Sequence, residues 1–313
     1  MSAASVFAVW RERDALLARL AAGFPEVRFD GVAHPDQFPA RALDCDALIS
    51  FQLRPEWLPR LPRLRWVQSI GAGVDRLLGP PGLPARVQVT RTRGDFEHQL
   101  AEYALAAVLH HAGGWPQWAA GQAARRWERA PRALARGRRA GVLGLGWIGG
   151  EVARALKSAG MAVWGCSAGG RPHPACERVF AAPALSEFLA GLDYLVVVLP
   201  LTPATRGLLD AARLAALPAG AVVINVGRAE VVVEAALAEA LESGRLGAAY
   251  LDVHWQEPLP ADSPWWGRRN AFVTPHIAGV TETGALADEF AENLRRYLAG
   301  QPLQHTVDRS RGY

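Results

Sequence analysis

Residues 141–150 read "GVLGLGWIGG" and place Gly144, Gly146 and Gly149 in a G-x-G-x-x-G spacing. Alone, that spacing is a glycine-rich turn and no more. Here the apolar run "RAGVL" (139–143) precedes it, "EVARALKSAG" (151–160) continues as a helical pattern, and "MAVWGC" (161–166) follows as another strand. Strand, glycine turn, helix and strand in that order are the context a dinucleotide-binding turn requires. The first glycine permits the tight turn, the second lets backbone approach a pyrophosphate, and the third lets helix and strand pack closely. The phosphates then meet free amides and the positive dipole end of a helix N-terminus.

On either side of this turn, short β-branched runs alternate with Ala/Leu-rich amphipathic stretches. That alternation predicts parallel sheets with helices on both faces. Ahead of it, "SVFAVW", "ALISF", "RWVQSI" and "VQVTRT" read as strands and "RDALLARLAAGF" as a helix. A long helix is expected over about 97–111, where Leu100, Tyr103, Ala104, Ala107 and Val108 recur at helical spacing. Residues 113–138, rich in Trp and Arg, read as irregular, a surface connection or a partner-facing arm. Behind the turn, "DYLVVVLP", "AVVINVG", "GAAYLDVH" and "NAFVTP" read as strands, two of them continuous apolar runs expected where a strand is covered on both faces. A last helix is expected over about 281–299.

The second strand of the nucleotide unit raises the question of which nucleotide fits. A carboxylate roughly twenty residues past the glycines ordinarily accepts the ribose hydroxyls of NAD. In "VWGCSAGGR" (163–171) the strand ends in Ser167, Ala168, Gly169, Gly170 and Arg171, with no acid. A carboxylate would repel a 2′-phosphate, whereas Ser167 and Arg171 can hydrogen-bond one. NADP(H) is therefore the preferred cofactor, with NAD(H) as the alternative.

Composition narrows the class further. The chain has 313 residues, 50% hydrophobic and 20% charged, with a formal net charge of +4. That fits one large or two medium globular domains. Its basic residues are almost all arginine, scattered rather than clustered, so no nucleic-acid partner is expected. No apolar run is long enough for a membrane span, and the N-terminus reads as strand and helix rather than signal peptide. Cys45, Cys166 and Cys176 are odd in number and form no C-x-x-C, which favours a reducing, cytoplasmic location. Cys166, His173 and Cys176 lack a second paired cluster, so no metal site is expected.

Three stretches carry candidate chemistry. "INVGRAE" puts Arg228 just past a strand, "DVHWQEPLP" puts Asp252 and Glu257 at another strand end, and "VTPHIAG" puts His276 at a third. Ligands of parallel α/β sheets bind beyond the carboxyl ends of the strands, so an Arg, a Glu and a His at three such ends can converge on one cleft.

These motifs, together with "SIGAGVD", "LPLTPATRGLL" and "LDVHWQEPLP", resemble the D-isomer-specific 2-hydroxyacid dehydrogenases over nearly the whole chain. The closing "VDRSRGY" and the acid-free second strand look most like the glyoxylate/hydroxypyruvate reductase A branch. The resemblance implies two doubly wound parallel-sheet domains. One is a flavodoxin-like substrate domain, 1–97 plus 282–313. The other is a Rossmann-type dinucleotide-binding domain, 98–281, inserted in it. It implies NADPH-preferring reduction of a small 2-oxo acid to a 2-hydroxy acid. His276 would be the general acid, Glu257 its carboxylate partner, and Arg228 the group that binds the substrate carboxylate and polarises the carbonyl. The amides of Ala72, Gly73 and Val74 would bind the substrate carboxylate as an anion nest. Cofactor contacts would include Trp147, Ile148, Leu199, Pro200 and Val226, with Asp252 holding the nicotinamide carboxamide. A homodimer is implied as well, through about 97–135.

Two departures and two rivals accompany this. Ala229 stands where the family often has glycine, and the usual basic cluster after the second strand is reduced to Arg171. One rival keeps the chemistry for another acid, with NAD and with Phe51 and Arg54 as candidates for the substrate site, Arg54 either meeting an extra anionic group or, as preferred, pointing into solvent. The other is a nucleotide-sensing, non-catalytic protein of the same fold.

Overall fold

The structure, a computed structural model, describes residues 4–40, 43–79, 83–129 and 131–313. Residues 1–3 of the expected N-terminal strand-and-helix segment, and residue 130 of the Trp/Arg-rich stretch, lie outside these. The chain divides into two compact units, residues 1–96 with 280–313, and residues 97–279.

The first unit holds β1 (Ser5–Val9), α1 (Arg13–Gly23), β2 (Arg28–Val32), β3 (Ala47–Ser50), β4 (Trp66–Ser69), α2 (Asp75–Leu78) and β5 (Gln88–Arg91). Its five strands are parallel in the order β2-β1-β3-β4-β5, the flavodoxin-like doubly wound order. Alternation along β1 explains why an unbroken apolar run is needed. Val6 and Ala8 face one cluster with Leu16, Leu20, Leu286, Phe290 and Leu294, while Phe7 and Val9 face another with Trp57, Leu64 and Leu77. Burying each such leucine contributes about 2 kcal/mol relative to exposure. The C-terminal helix closes this core, with Phe290 stacked on Trp66 at 4.5 Å.

The second unit contains α3 (Phe96–Ala112, its first residue assigned to the first unit), α4 (Trp115–Ala123), β6 (Arg139–Leu143), α5 (Trp147–Ser158), β7 (Ala162–Ser167), β8 (Arg178–Ala181), α6 (Leu185–Leu189) and β9 (Tyr194–Val197). It continues with α7 (Ala211–Ala216), β10 (Ala221–Asn225), α8 (Glu234–Glu242), β11 (Leu246–Leu251) and β12 (Ala271–Val273). The closing helix α9 (Thr283–Leu298) returns to the first unit. Seven parallel strands run β12-β11-β10-β9-β6-β7-β8, a Rossmann-type sheet whose winding reverses beside β6. The register decides where function sits. Leu143 pairs with Cys166 and Val197, Val197 with Asn225, Asn225 with Leu251, and Leu251 with Val273. Every strand from β7 to β12 therefore ends level with Gly144, and the residues after those ends share one rim. Helix α3 is tied to the sheet by His110 Nδ1 and Tyr250 Oη at 2.7 Å and by His111 Nδ1 and Tyr194 Oη at 3.1 Å.

Three elements differ from the sequence expectation. β2 and β8 carry charges and flank their sheets as edge strands with one poorly covered face, so neither shows an apolar run. The stretch 113–138 is not wholly irregular, because α4 occupies 115–123. Left-handed Gly114 (φ 72°) and Pro116 in the first turn start that helix, and Trp118 Nε1 donates to the Gly113 carbonyl at 2.8 Å. None of its residues is buried, so no periodic apolar face betrays it.

Candidate active site

The glycine turn has the form its spacing predicts. Gly144 sits at φ 105°, and a Cβ there would lie 2.6 Å from the Val198 carbonyl oxygen. A Cβ at Gly149 would be driven into the Gly144 carbonyl oxygen, whereas one at Gly146 meets nothing within 4 Å. The outer glycines are therefore demanded by conformation and packing. The middle one leaves open space at the start of α5, where the leading amides have no intrahelical acceptors. Trp147, Ile148 and Gly149 supply that first turn. Free space at the start of the helix and the positive end of its dipole together fit a dinucleotide pyrophosphate.

Along the rim, Ser167 closes β7 half-buried, Gly170 turns at φ 61°, and Arg171 is exposed. No carboxylate lies between 167 and 171. Beyond β9, Leu199 and Pro200 begin a loop folded on itself, with Thr205 Oγ1 donating to the Pro200 carbonyl at 2.6 Å. A Cβ at Gly227 would come within 2.7 Å of the Leu199 oxygen, so this loop and the end of β10 touch. Val226 is buried there.

Arg228 follows directly. Asn225, fully buried at the end of β10, accepts the Gly227 amide at 3.1 Å and donates from Nδ2 to the Arg228 carbonyl at 3.0 Å. It thus shapes the turn that presents Arg228, whose Nη1 donates to the Gly227 carbonyl at 2.8 Å. Sequence reasoning missed Asn225; its signal is one polar side chain ending the apolar run "AVVI".

His276 and Glu257 come together. His276 Nδ1 stands 3.0 Å from both Glu257 oxygens, with the histidine side chain 45% exposed and the glutamate 22%. A carboxylate only accepts, so Nδ1 carries the hydrogen of this bond and Nε2 is left for a ligand. Glu257 also accepts the His254 amide at 3.1 Å. His254, buried and not singled out from sequence, pairs its Nε2 with the Thr274 carbonyl at 2.9 Å. His276 itself has φ 55°, a left-handed conformation uncommon outside glycine.

Asp252 is bound by the turn that follows β12. Its Oδ1 accepts the Thr274 hydroxyl at 2.7 Å and the Ile277 amide at 2.8 Å, and Oδ2 accepts the Ala278 amide at 2.8 Å. With 1% exposure it braces the turn that carries His276.

In the first unit, the Ala72–Val74 turn leads into α2. The Ser69 hydroxyl donates to the Gly73 carbonyl at 2.9 Å, and among the described residues no carbonyl accepts the amides of 72–74. Successive amides without a carbonyl partner can accept an anion. Phe51 is 42% exposed and lies edge-on to Trp10 at 5.4 Å. Arg54 is engaged, its Nη2 donating to Asp36 at 2.8 Å and its guanidinium 5.6 Å from the Trp57 ring, so it is not held out for an extra anionic group. Burial pushes the Cys166 and Cys176 thiols up to about 11, which leaves them protonated at neutral pH. Among the described residues no group of three or more His, Cys, Asp or Glu side chains is placed to hold a metal, and no helix is long and apolar enough to cross a membrane.

Comparison with known proteins bears on this rim. The profile of the D-isomer specific 2-hydroxyacid dehydrogenase NAD binding domain matches residues 105–278. A glyoxylate/hydroxypyruvate reductase A from Klebsiella pneumoniae (strain 342) is 35% identical over 256 residues, 80% of this chain and 82% of that protein. A D-isomer specific 2-hydroxyacid dehydrogenase from Xanthobacter autotrophicus Py2, solved with NADPH and MES, is similar with a TM-score of 0.91 and 37% identity over all of both chains. An NADPH-dependent glyoxylate/hydroxypyruvate reductase from Sinorhizobium meliloti, solved with NADP and sulfate, has a TM-score of 0.91 and 33% identity over 99% of this chain and 100% of its own.

Proposed function

Because this chain belongs to the D-isomer-specific 2-hydroxyacid dehydrogenase family, we propose that it reduces glyoxylate, hydroxypyruvate or a similarly small 2-oxo acid with NADPH. The observation that carries this reading is the His276–Glu257 pair, which leaves Nε2 available on the same rim as Arg228 and the glycine turn. In this reading residues 97–279 form the dinucleotide-binding domain and residues 1–96 with 280–313 the substrate domain.

Arg228 pairs its planar fork with the substrate carboxylate and polarises the adjacent carbonyl. The amides of Ala72, Gly73 and Val74 suit a carboxylate group. A nicotinamide held at the glycine turn would supply the hydride for the carbonyl carbon. His276 gives the proton on Nε2 to the carbonyl oxygen, and Glu257 stabilises the charged imidazole before transfer and holds it in orientation. One hydride and one proton convert the 2-oxo acid to the 2-hydroxy acid. Asp252 contributes through the turn it clamps.

Cofactor choice rests on the acid-free end of β7. Arg171→Ala removes the cation that suits a 2′-phosphate, and one lost charge-assisted hydrogen bond predicts about a tenfold rise in the KM for NADPH with that for NADH within about twofold. Steady-state titration of both cofactors checks this; equal changes for the two would take Arg171 out of the cofactor site. The reading extends to a homodimer in the cytoplasm. Trp115 and Trp127, 61% and 92% exposed, suit a face covered by protein, and three free thiols suit a reducing compartment.

A further inference from the structure

We propose that Tyr103 is a positioning residue for His276, acting through Thr274 and Asp252. The inference rests on the reading of His276 as the proton donor. Four short contacts carry it. Tyr103 Oη lies 2.7 Å from Thr274 Oγ1, and Thr274 Oγ1 donates to Asp252 Oδ1 at 2.7 Å. Asp252 then takes the Ile277 amide on Oδ1 and the Ala278 amide on Oδ2, each at 2.8 Å.

The direction of these bonds follows from chemistry. An ionised carboxylate only accepts, so the Thr274 hydroxyl hydrogen points to Asp252. Thr274 Oγ1 then has lone pairs but no hydrogen left for Tyr103, and Tyr103 must be the donor. Burial pushes the Tyr103 phenol up to about 12, which keeps that hydrogen in place.

The relay brackets His276, with Thr274 two residues before it and Ile277 and Ala278 directly after. The bracketed residue is the one at φ 55°. Such a conformation in a non-glycine residue persists only where its surroundings over-determine it. Helix α3 provides the anchor, because Ala104 and Val108 beside Tyr103 are fully buried. Without the phenol, Thr274 and Asp252 lose their tie to the helix. The turn then loosens, and the imidazole drifts from the Glu257 oxygens.

Three variants of the full chain test this: Tyr103→Phe, Thr274→Val, which keeps shape but no hydroxyl, and Thr274→Ser, which keeps the hydroxyl. The first readout is amide hydrogen exchange at Ile277 and Ala278 without substrate or cofactor. Exchange is expected to quicken by about tenfold or more in Tyr103→Phe and Thr274→Val and to stay within about threefold in Thr274→Ser. The second is steady-state kinetics with NADPH and glyoxylate, where kcat is expected to fall by about 10- to 100-fold in the first two with the NADPH KM within about twofold. The Tyr103→Phe and Thr274→Val effects on kcat are expected to overlap rather than multiply. A merely structural role would lower thermal stability without that split or that overlap. Unchanged exchange in Tyr103→Phe, or an unchanged kcat in an active enzyme, overturns the proposal. Absence of wild-type turnover overturns the substrate reading instead, and the exchange measurement still decides the role of Tyr103.

Discussion

Replacing His276 with asparagine is expected to lower kcat by about 10²- to 10⁴-fold while leaving nucleotide affinity within about threefold, the range for loss of the proposed general acid. Asparagine is the informative replacement. The site sits at φ 55°, and asparagine tolerates that conformation better than alanine, so the turn survives and the loss reports chemistry rather than folding. The asparagine amide can still meet Glu257, but it cannot give up a proton. His276→Ala is expected to lose at least as much turnover, with a stability cost of about 1 kcal/mol added by the strained backbone. Fluorescence titration with NADPH separates the two effects. Turnover retained in His276→Asn would remove this histidine from the proton-donating role.

Arg228→Ala is expected to lower kcat/KM for the 2-oxo acid by about 10³-fold or more, through both substrate KM and kcat, since in the proposed reaction one group binds the carboxylate and polarises the reacting carbonyl. Arg228→Lys restores the charge but not the two-pronged geometry and recovers only part of the loss. The Asn225 side chain frames residues 227–228 through their backbone atoms and not through the Arg228 side chain, so both variants are expected to fold normally. Rates and substrate saturation curves check this, and normal kinetics in Arg228→Ala would exclude it from the site.

The parts of the fold legible in the sequence are those whose physics is local. "DYLVVV" and "AVVIN" advertise strands because Leu195–Val197 and Val222–Asn225 are covered on both faces. Gly144 and Gly149 advertise the turn because conformation and closeness leave no room for a side chain. Edge strands β2 and β8 stay silent because charged residues interrupt their apolar positions, and α4 stays silent because it buries nothing. The same divide runs through the site. Arg228, Glu257 and His276 are visible as chemistry-bearing residues after strand ends. The supports around them are not, since Tyr103 and Thr274 lie 171 positions apart and only the α3 packing brings them together. Asp252 was visible as a strand-end acid, yet the partners that occupy it come from a turn 22 to 26 residues later. Arg54 was ambiguous for the same reason, because nothing local foretells its pairing with Asp36, 18 residues earlier.

The central claim is hydride transfer from NADPH to a small 2-oxo acid. The most direct measurement follows the nicotinamide absorbance of NADPH with the purified full chain and glyoxylate or hydroxypyruvate, with the products identified by NMR. The account predicts rapid oxidation of NADPH, one glycolate or glycerate formed per NADPH consumed, and slower turnover with NADH. Tight binding of NADPH with no oxidation in the presence of either acid would contradict it and favour a nucleotide-sensing role for the same fold.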